Sequence, residues 1–283
     1  MKPAPFDYHR PRSLAETFDL LERYGDDGRI LAGGQSLVPA LNMRLATPRA
    51  LIDINRLPGL GTIRETANGL VIGALARHDE LERSLLVRER APLISAAMPY
   101  VGHAAIRSRG TFGGSLALAD PAAELPACVV ALDAALRLAT RRGTREVPAA
   151  DFFRGIYTTA LQPGELLIEV VIPTAEAGWR SGFDELARRH GDFALAGLAA
   201  RLLLDAGRVR DARLVFFGVG PTPVRARRAE AALVAAGDIG AARSAAVQEL
   251  DPPGDVHGSP ALRRHLAGVL LTRVLGRLLE PRA

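Results

Sequence analysis

Two glycine pairs, each set between a strand-like run and a helix-like run, constrain this chain more than any other feature. The first lies in Leu31-Ala32-Gly33-Gly34-Gln35-Ser36-Leu37, the second in Arg109-Gly110-Thr111-Phe112-Gly113-Gly114-Ser115-Leu116. A Gly-Gly pair permits positive φ and leaves no Cβ in the way of a neighbour or a ligand. Successive backbone N–H groups in such a turn form an anion-binding concavity. Two of these turns facing one cavity can grip a diphosphate from both sides, each loop contributing main-chain donors. Gln35, Ser36 and Ser115 stand beside the glycines and can add side-chain hydrogen bonds.

Neither loop carries the Gly-x-Gly-x-x-Gly dinucleotide fingerprint or a Walker lysine. Gly218-Val219-Gly220 runs into Pro221-Thr222-Pro223 and reads as a strand-ending turn. With no lysine in either loop, geometry rather than a point charge is expected to do the binding.

At 283 residues, 48% hydrophobic and 24% charged, the chain fits one or two ordinary globular domains. It has no apolar stretch of about 18 residues. Met1–Arg12 lacks the apolar core of a signal peptide, which predicts a cytoplasmic protein without a membrane span. The net charge of +5 comes from arginines scattered among acids, and aromatic residues are 5%. That pattern predicts solvated helix faces and no nucleic-acid partner. The single cysteine, Cys128, excludes an intrachain disulfide and an iron–sulfur cluster ligated by cysteines of this chain alone. It lies in an apolar run and reads as core.

Along the chain, Phe6-Asp7-Tyr8 reads as a short strand. Ser13 and Glu16 form a capping box, and Gly25 is a helix stop. Arg29–Ala32 and Leu51–Ile54 read as strands, with a short helix from about Ser36 towards Leu45. Leu70–Leu75 is a further strand, and Asp79 is expected to cap the next helix. Ala91–Tyr100 reads as helical. Asp120 as N-cap and Pro121 as first residue predict a helix through Ala122–Ala134. Arg137-Leu138 and Leu166–Ile172 read as strands. Phe193–Asp205 and Val209–Val219 flank a hairpin turn at Asp205-Ala206-Gly207-Arg208. Arg225–Ala236, Ile239–Leu250 and Ala261–Leu279 read as helices, the last with Leu262, Leu266, Val269, Leu270, Val274 and Leu278 on one face. The expected class is α+β.

Three blocks carry a resemblance. They are Ala32-Gly33-Gly34-Gln35-Ser36-Leu37; Gly110–Ser115 with Ala119-Asp120-Pro121-Ala122-Ala123-Glu124; and Phe183-Asp184-Glu185-Leu186-Ala187-Arg188-Arg189-His190-Gly191-Asp192-Phe193-Ala194. Together they resemble the FAD-binding medium subunit of molybdenum hydroxylases, the family of carbon monoxide dehydrogenase and xanthine dehydrogenase. The similarity runs from about Phe6 to the helix after Pro223. It implies an FAD-binding fold of two small α/β subdomains (about residues 1–56 and 57–175, together 1–175) and a C-terminal domain (178–283) of antiparallel sheet flanked by helices.

By that resemblance, Ala32, Gly33, Gly34, Gln35 and Ser36 wrap one side of the FAD diphosphate, and Thr111, Phe112, Gly113, Gly114 and Ser115 wrap the other. Ser115 stands where the family often has Asn. Glu124 takes the acidic position that hydrogen-bonds the ribityl chain, and Leu167 a backbone contact. Phe193 stands where relatives place Tyr beside the flavin ring, and Asp184 where some have Lys. The implied partners are a large molybdopterin-binding subunit and a small [2Fe–2S] subunit, with an external electron acceptor. Electrons are then expected to pass from those clusters through FAD to the acceptor. No catalytic residue is assigned, because the flavin carries the chemistry. His78 and His103 have no partner at metal-ligand spacing and read as structural, so no metal is assigned. Two alternatives stay open: a self-contained flavin oxidoreductase, and a flavin-free assembly subunit.

Overall fold

The computed structural model describes residues 2–280. Three main β-sheets follow one another along the chain. Strands Asp7–His9, Gly28–Leu31 and Ala50–Asp53 make a parallel sheet with Ala50–Asp53 in the middle. All four residues of that central strand are buried, as a strand covered on both faces requires. Helix Leu14–Tyr24 packs beside it. Ser13 caps this helix by accepting from the Glu16 amide at 3.2 Å, and the Glu16 carboxylate reaches back to the Arg12 amide at 2.7 Å. Gly25 stops it at φ 49°.

The second sheet is antiparallel, in the order Ile63–Thr66, Gly69–Gly73, Leu166–Pro173, Ala135–Thr140, Gly143–Pro148. The third is antiparallel too: Trp179–Leu186, Ala196–Asp205, Arg208–Phe217, Val224–Arg225. Its long hairpin turns at Ala206 and Gly207, with φ 47° and 78°. Two positive φ values in a two-residue loop match the right-handed twist of the strands it joins.

The third sheet is apolar on both faces. Leu198, Ala200, Leu202, Leu214 and Phe216 pack with helices Arg227–Ala236 and Pro260–Leu279. Phe183, Ala199, Val215 and Phe217 pack into the core of the preceding residues, against helices Pro92–Ala97 and Glu124–Ala131. Helix Glu124–Ala131 is buried at every residue but the first. A helix apolar on all sides belongs inside a core, and Cys128 sits within it. The α+β architecture is the expected one.

Several local readings shift. The helix expected over Ala122–Ala134 spans Glu124–Ala131. Asp120 does not cap it: its Oδ1 accepts from the Ala122 amide at 2.9 Å, a turn closed two residues on. Pro121 is held outside the helix, its carbonyl accepting from the Gly218 amide at 2.8 Å. Asp79 is no cap either. The helix begins at His78, and Asp79 pairs with Arg83 at 2.8 Å. The strand expected from Phe193 starts at Ala196. In the last helix, Leu262 is 41% exposed while Leu271 and Leu275 are buried. Its buried face is therefore rotated from the expected one. Among the described residues no helix is long and apolar enough to cross a membrane.

Candidate functional site

The two glycine loops meet. A Cβ added to Gly33 would lie 2.5 Å from the Arg109 carbonyl oxygen and 2.9 Å from the Gly110 Cα. One added to Gly114 would lie 3.9 Å from the Ala32 Cβ. The first contact is main chain against main chain, and only glycine at position 33 allows it.

A chain of polar side chains holds the loops at this distance. Asp53 ends the central strand of the first sheet and is 3% exposed. Its Oδ1 accepts from the Asn55 amide at 2.9 Å and from Asn55 Nδ2 at 2.6 Å. Asn55 Nδ2 also donates to the Ala32 carbonyl at 2.8 Å, inside the first loop. Asn55 Oδ1 accepts from Arg77 Nη2 at 2.6 Å, and Arg77 Nη1 donates to the Arg109 carbonyl at the head of the second loop. Burial pushes the Asp53 carboxyl up, but hydrogen bonds from Tyr8, Asn55 and Arg10 outweigh it and keep its pKa below the usual value. Sequence reading passed over Asp53, Asn55 and Arg77. The Asp-x-Asn turn immediately after a strand was the available signal; the link to Arg77 had none.

The loops differ in what their amides do. Gly33, Gly34, Gln35 and Ser36 donate their main-chain N–H to no acceptor among the described residues. The Gln35 side chain folds back to the Gly33 carbonyl at 3.1 Å, shaping the turn. In the second loop, Phe112 donates to Ala76 O at 2.9 Å and Gly113 to Ala74 O at 2.8 Å. Gly114 donates to Thr111 Oγ1 at 3.2 Å and Ser115 to Thr111 O at 3.1 Å. These four amides are engaged within the protein. Of the N–H groups from Thr111 to Ser115, only that of Thr111 donates to no acceptor among the described residues, so most of the open donors are on the first loop. The second loop's glycines serve close packing, since a Cβ on Gly113 would fall on Ala74 and one on Gly114 would lie 2.5 Å from Thr111 Oγ1. Thr111 is 2% exposed and serves as the cap of helix Phe112–Leu118. Ser115 is half-buried, and its hydroxyl makes no hydrogen bond among the described residues.

A cavity of about 460 Å³ opens on the first loop, lined by Gly33, Gly34, Gln35, Asn55, Arg10 and Arg109 among others. Leu167 is buried on the strand beside the second loop. That strand bulges between Leu167 and Glu169, and the Ile168 carbonyl accepts from the amide of Ala74, the residue Gly113 packs against. Asp184 turns to the last helix, where Arg277 and Arg273 donate to its Oδ2 at 3.0 and 3.4 Å. Phe193 is 71% exposed. Its loop rests on the segment before the second glycine loop, for a Cβ on Gly191 would lie 2.9 Å from His103 Cε1. His78 lies behind the second loop; burial lowers its pKa to about 4, and neither ring nitrogen has a partner among the described residues.

Glu124 opens its buried helix, and burial with the charge of Asp120 raises its pKa to about 7. A second acid not singled out in the sequence accompanies it. Glu185, on the strand Trp179–Leu186, is 8% exposed and its Oε2 has no partner. Burial, then the charges of Glu124 and Asp184, lift its pKa to about 8. Both carboxyls hold a proton far above the normal carboxylate range. Cys128, raised by burial and by both acids, stays a thiol.

Comparisons with known proteins fit this geometry. The family model described as the FAD binding domain in molybdopterin dehydrogenase matches residues 4–175, and that for the CO dehydrogenase flavoprotein C-terminal domain matches 181–278. The chain is 43% identical over 285 residues to the 6-hydroxypseudooxynicotine dehydrogenase complex subunit alpha of Paenarthrobacter nicotinovorans, spanning 99% of this chain and 96% of that one. It superposes on a chain of carbon monoxide dehydrogenase from Hydrogenophaga pseudoflava with a TM-score of 0.95, 38% identity and 98% of each chain covered. For quinoline 2-oxidoreductase from Pseudomonas putida 86 the TM-score is 0.92 at 39% identity, covering 99% of this chain and 98% of that one.

Proposed function

Because this chain belongs to the FAD-binding family of molybdopterin dehydrogenases, we propose that it is the FAD-carrying electron-transfer subunit of a molybdenum hydroxylase. The coarser statement needs no proposal: the chain is an oxidoreductase subunit with an FAD-binding domain. The proposal adds the route. Electrons reach it from [2Fe–2S] clusters on a small partner subunit, after substrate oxidation on a large molybdopterin-binding subunit, and pass to an external acceptor in the cytoplasm. Residues 1–175 form the FAD-binding domain and 178–283 the C-terminal one.

The observation that carries the reading is the contact of the two glycine loops beside a cavity, with four amides on one of them that have no acceptor among the described residues. When bound, FAD supplies the capacity to take up single electrons and release pairs. Gly33, Gly34, Gln35 and Ser36 would hold the diphosphate through their main-chain N–H groups, at about 1.5–3 kcal/mol for each charge-assisted bond. Thr111–Ser115 form the opposing wall, with the Ser115 hydroxyl free to contribute. Glu124, whose pKa is raised to about 7, would meet the ribityl chain. Leu167, Asp184 and Phe193 remain part of the assignment. Phe193 stands at the open edge, and the Asp184 carboxylate already has cationic partners.

The test is to express the chain alone and beside the coding sequences that neighbour it. A yellow protein with one FAD per chain, co-purifying with a large and a cysteine-rich small subunit, is expected. Anaerobic addition of the partner's substrate should bleach the flavin only in the complex. A chain that binds no FAD, or one that oxidises a carbon substrate alone, would refute the proposal.

A further inference from the structure

We infer that Arg109 is the cation that neutralises the bound diphosphate. This rests on the FAD reading above and adds to it a charged contact the sequence did not suggest. The Arg109 carbonyl is pinned by Arg77 and its backbone is wedged against Gly33. Its side chain is left exposed, lines the same cavity as Gly33, Gly34 and Gln35, and makes no hydrogen bond or ion pair among the described residues. A rigid main chain carrying a free guanidinium at the edge of four open amides is a preorganised anion grip.

The surrounding charges point the same way. Among the described residues the Arg77 guanidinium bonds only neutral oxygens, those of Asn55 and Arg109. Burial lowers its pKa, and the charge of Arg109 adds to the lowering. Nearby acids are committed elsewhere: Asp79 to Arg83, Glu80 to the Arg77 amide, and Asp53 to Tyr8, Arg10 and Asn55. Arg10 lines the cavity as well, but it is paired with Asp53. The Arg109 guanidinium thus faces a cavity that also offers N–H donors, with the charge of Arg77 nearby and the one carboxylate of the lining, Asp53, already paired with Arg10. A polyanion fits this arrangement better than a cation does.

The full-length apo chain carrying Arg109→Gln tests this against wild type, with FAD, ADP, inorganic pyrophosphate and riboflavin as probes. Loss of one charge-assisted contact predicts FAD, ADP and pyrophosphate each weakened about 10- to 100-fold. Riboflavin affinity and melting temperature should hold, and Arg109→Lys should recover most of the loss. Salt should weaken FAD binding to wild type more than to Arg109→Gln. Wild-type FAD binding with unchanged affinity in Arg109→Gln overturns the Arg109 assignment and leaves the FAD reading standing. Arg109-dependent pyrophosphate binding by a chain that takes no FAD overturns the FAD reading and leaves the anion grip. An equal loss of riboflavin would show that the variant acts through the fold and would overturn the inference.

Discussion

Replacing Gly33 by alanine puts a methyl group 2.5 Å from the Arg109 carbonyl oxygen, where ordinary contact begins at 3.4 Å. The shortfall is 0.9 Å. Nothing flexible can absorb it, because the near atoms belong to the backbone of Arg109 and Gly110. The loops must separate. Moving Ala32 by the same amount stretches its 2.8 Å bond from Asn55 beyond hydrogen-bonding range. Overpacking costs about 1–3 kcal/mol and the lost bond about 1 kcal/mol. For a chain of this size that lowers the melting temperature by roughly 4–8 °C. The effect on cofactor is larger in proportion. Two of the first loop's amides pulled out of reach forfeit about 3 kcal/mol or more, so FAD affinity falls by at least ~100-fold.

Gly34→Ala is the control. Its φ is +74° and its new neighbours are the Val38 and Leu31 side-chain tips at 3.2 and 3.3 Å. Backbone strain of about 1–2 kcal/mol follows, without parting the loops. Affinity should fall by no more than about 30-fold, the equivalent of about 2 kcal/mol. Flavin fluorescence quenching measures affinity, and calorimetry of the apo protein measures melting. A Gly33→Ala variant that binds FAD within threefold of wild type and melts normally would refute the reasoning.

Other outcomes follow from the same geometry. Asn55→Ala removes the link between Asp53, Ala32 and Arg77 and should destabilise by about 2–4 kcal/mol, with a parallel drop in flavin content; denaturant titration checks it, and an unchanged midpoint refutes it. Gly114→Val breaks the Thr111 cap as well as crowding the loop, so about 1–3 kcal/mol of stability should disappear along with FAD retention. Circular dichroism with flavin content separates the two effects, and retention of both would count against the role given to this glycine. Glu124 and Glu185 keep protons in the fold up to about pH 7 and about pH 8, whereas in the unfolded chain they release them near 4.5. Apo-protein stability should therefore fall as pH rises from 4.5 to about 8, by up to about 1.4 kcal/mol per pH unit for each group. Glu185→Gln should flatten that slope, and an identical slope in the variant would remove Glu185 as its source.

Features governed by neighbours in sequence were legible before any fold was known. Ser13 caps its helix through the Glu16 amide while the Glu16 side chain reaches back to Arg12, and Ala206-Gly207 turns a hairpin through its own φ angles. The glycine pairs announce backbone that must come close to something. What comes close was not legible. Gly33 meets Arg109, and Gly113 meets Ala74, because segments far apart in sequence pack in one particular way. Sequence spacing carries no record of that packing.

The division has one physical cause. Propensity, capping and turn chemistry act over a few residues, so the chain itself sets where its strands, helices and glycine turns lie. Hydrogen-bond partners and solvent exclusion act through space, and they settled the rest. Folding spends the second loop's amides on Ala74, Ala76 and Thr111 while leaving the first loop's open. It places Arg109 at the edge of those donors, and it drives Glu124 and Glu185 into surroundings where a carboxylate is too poorly solvated to stay charged.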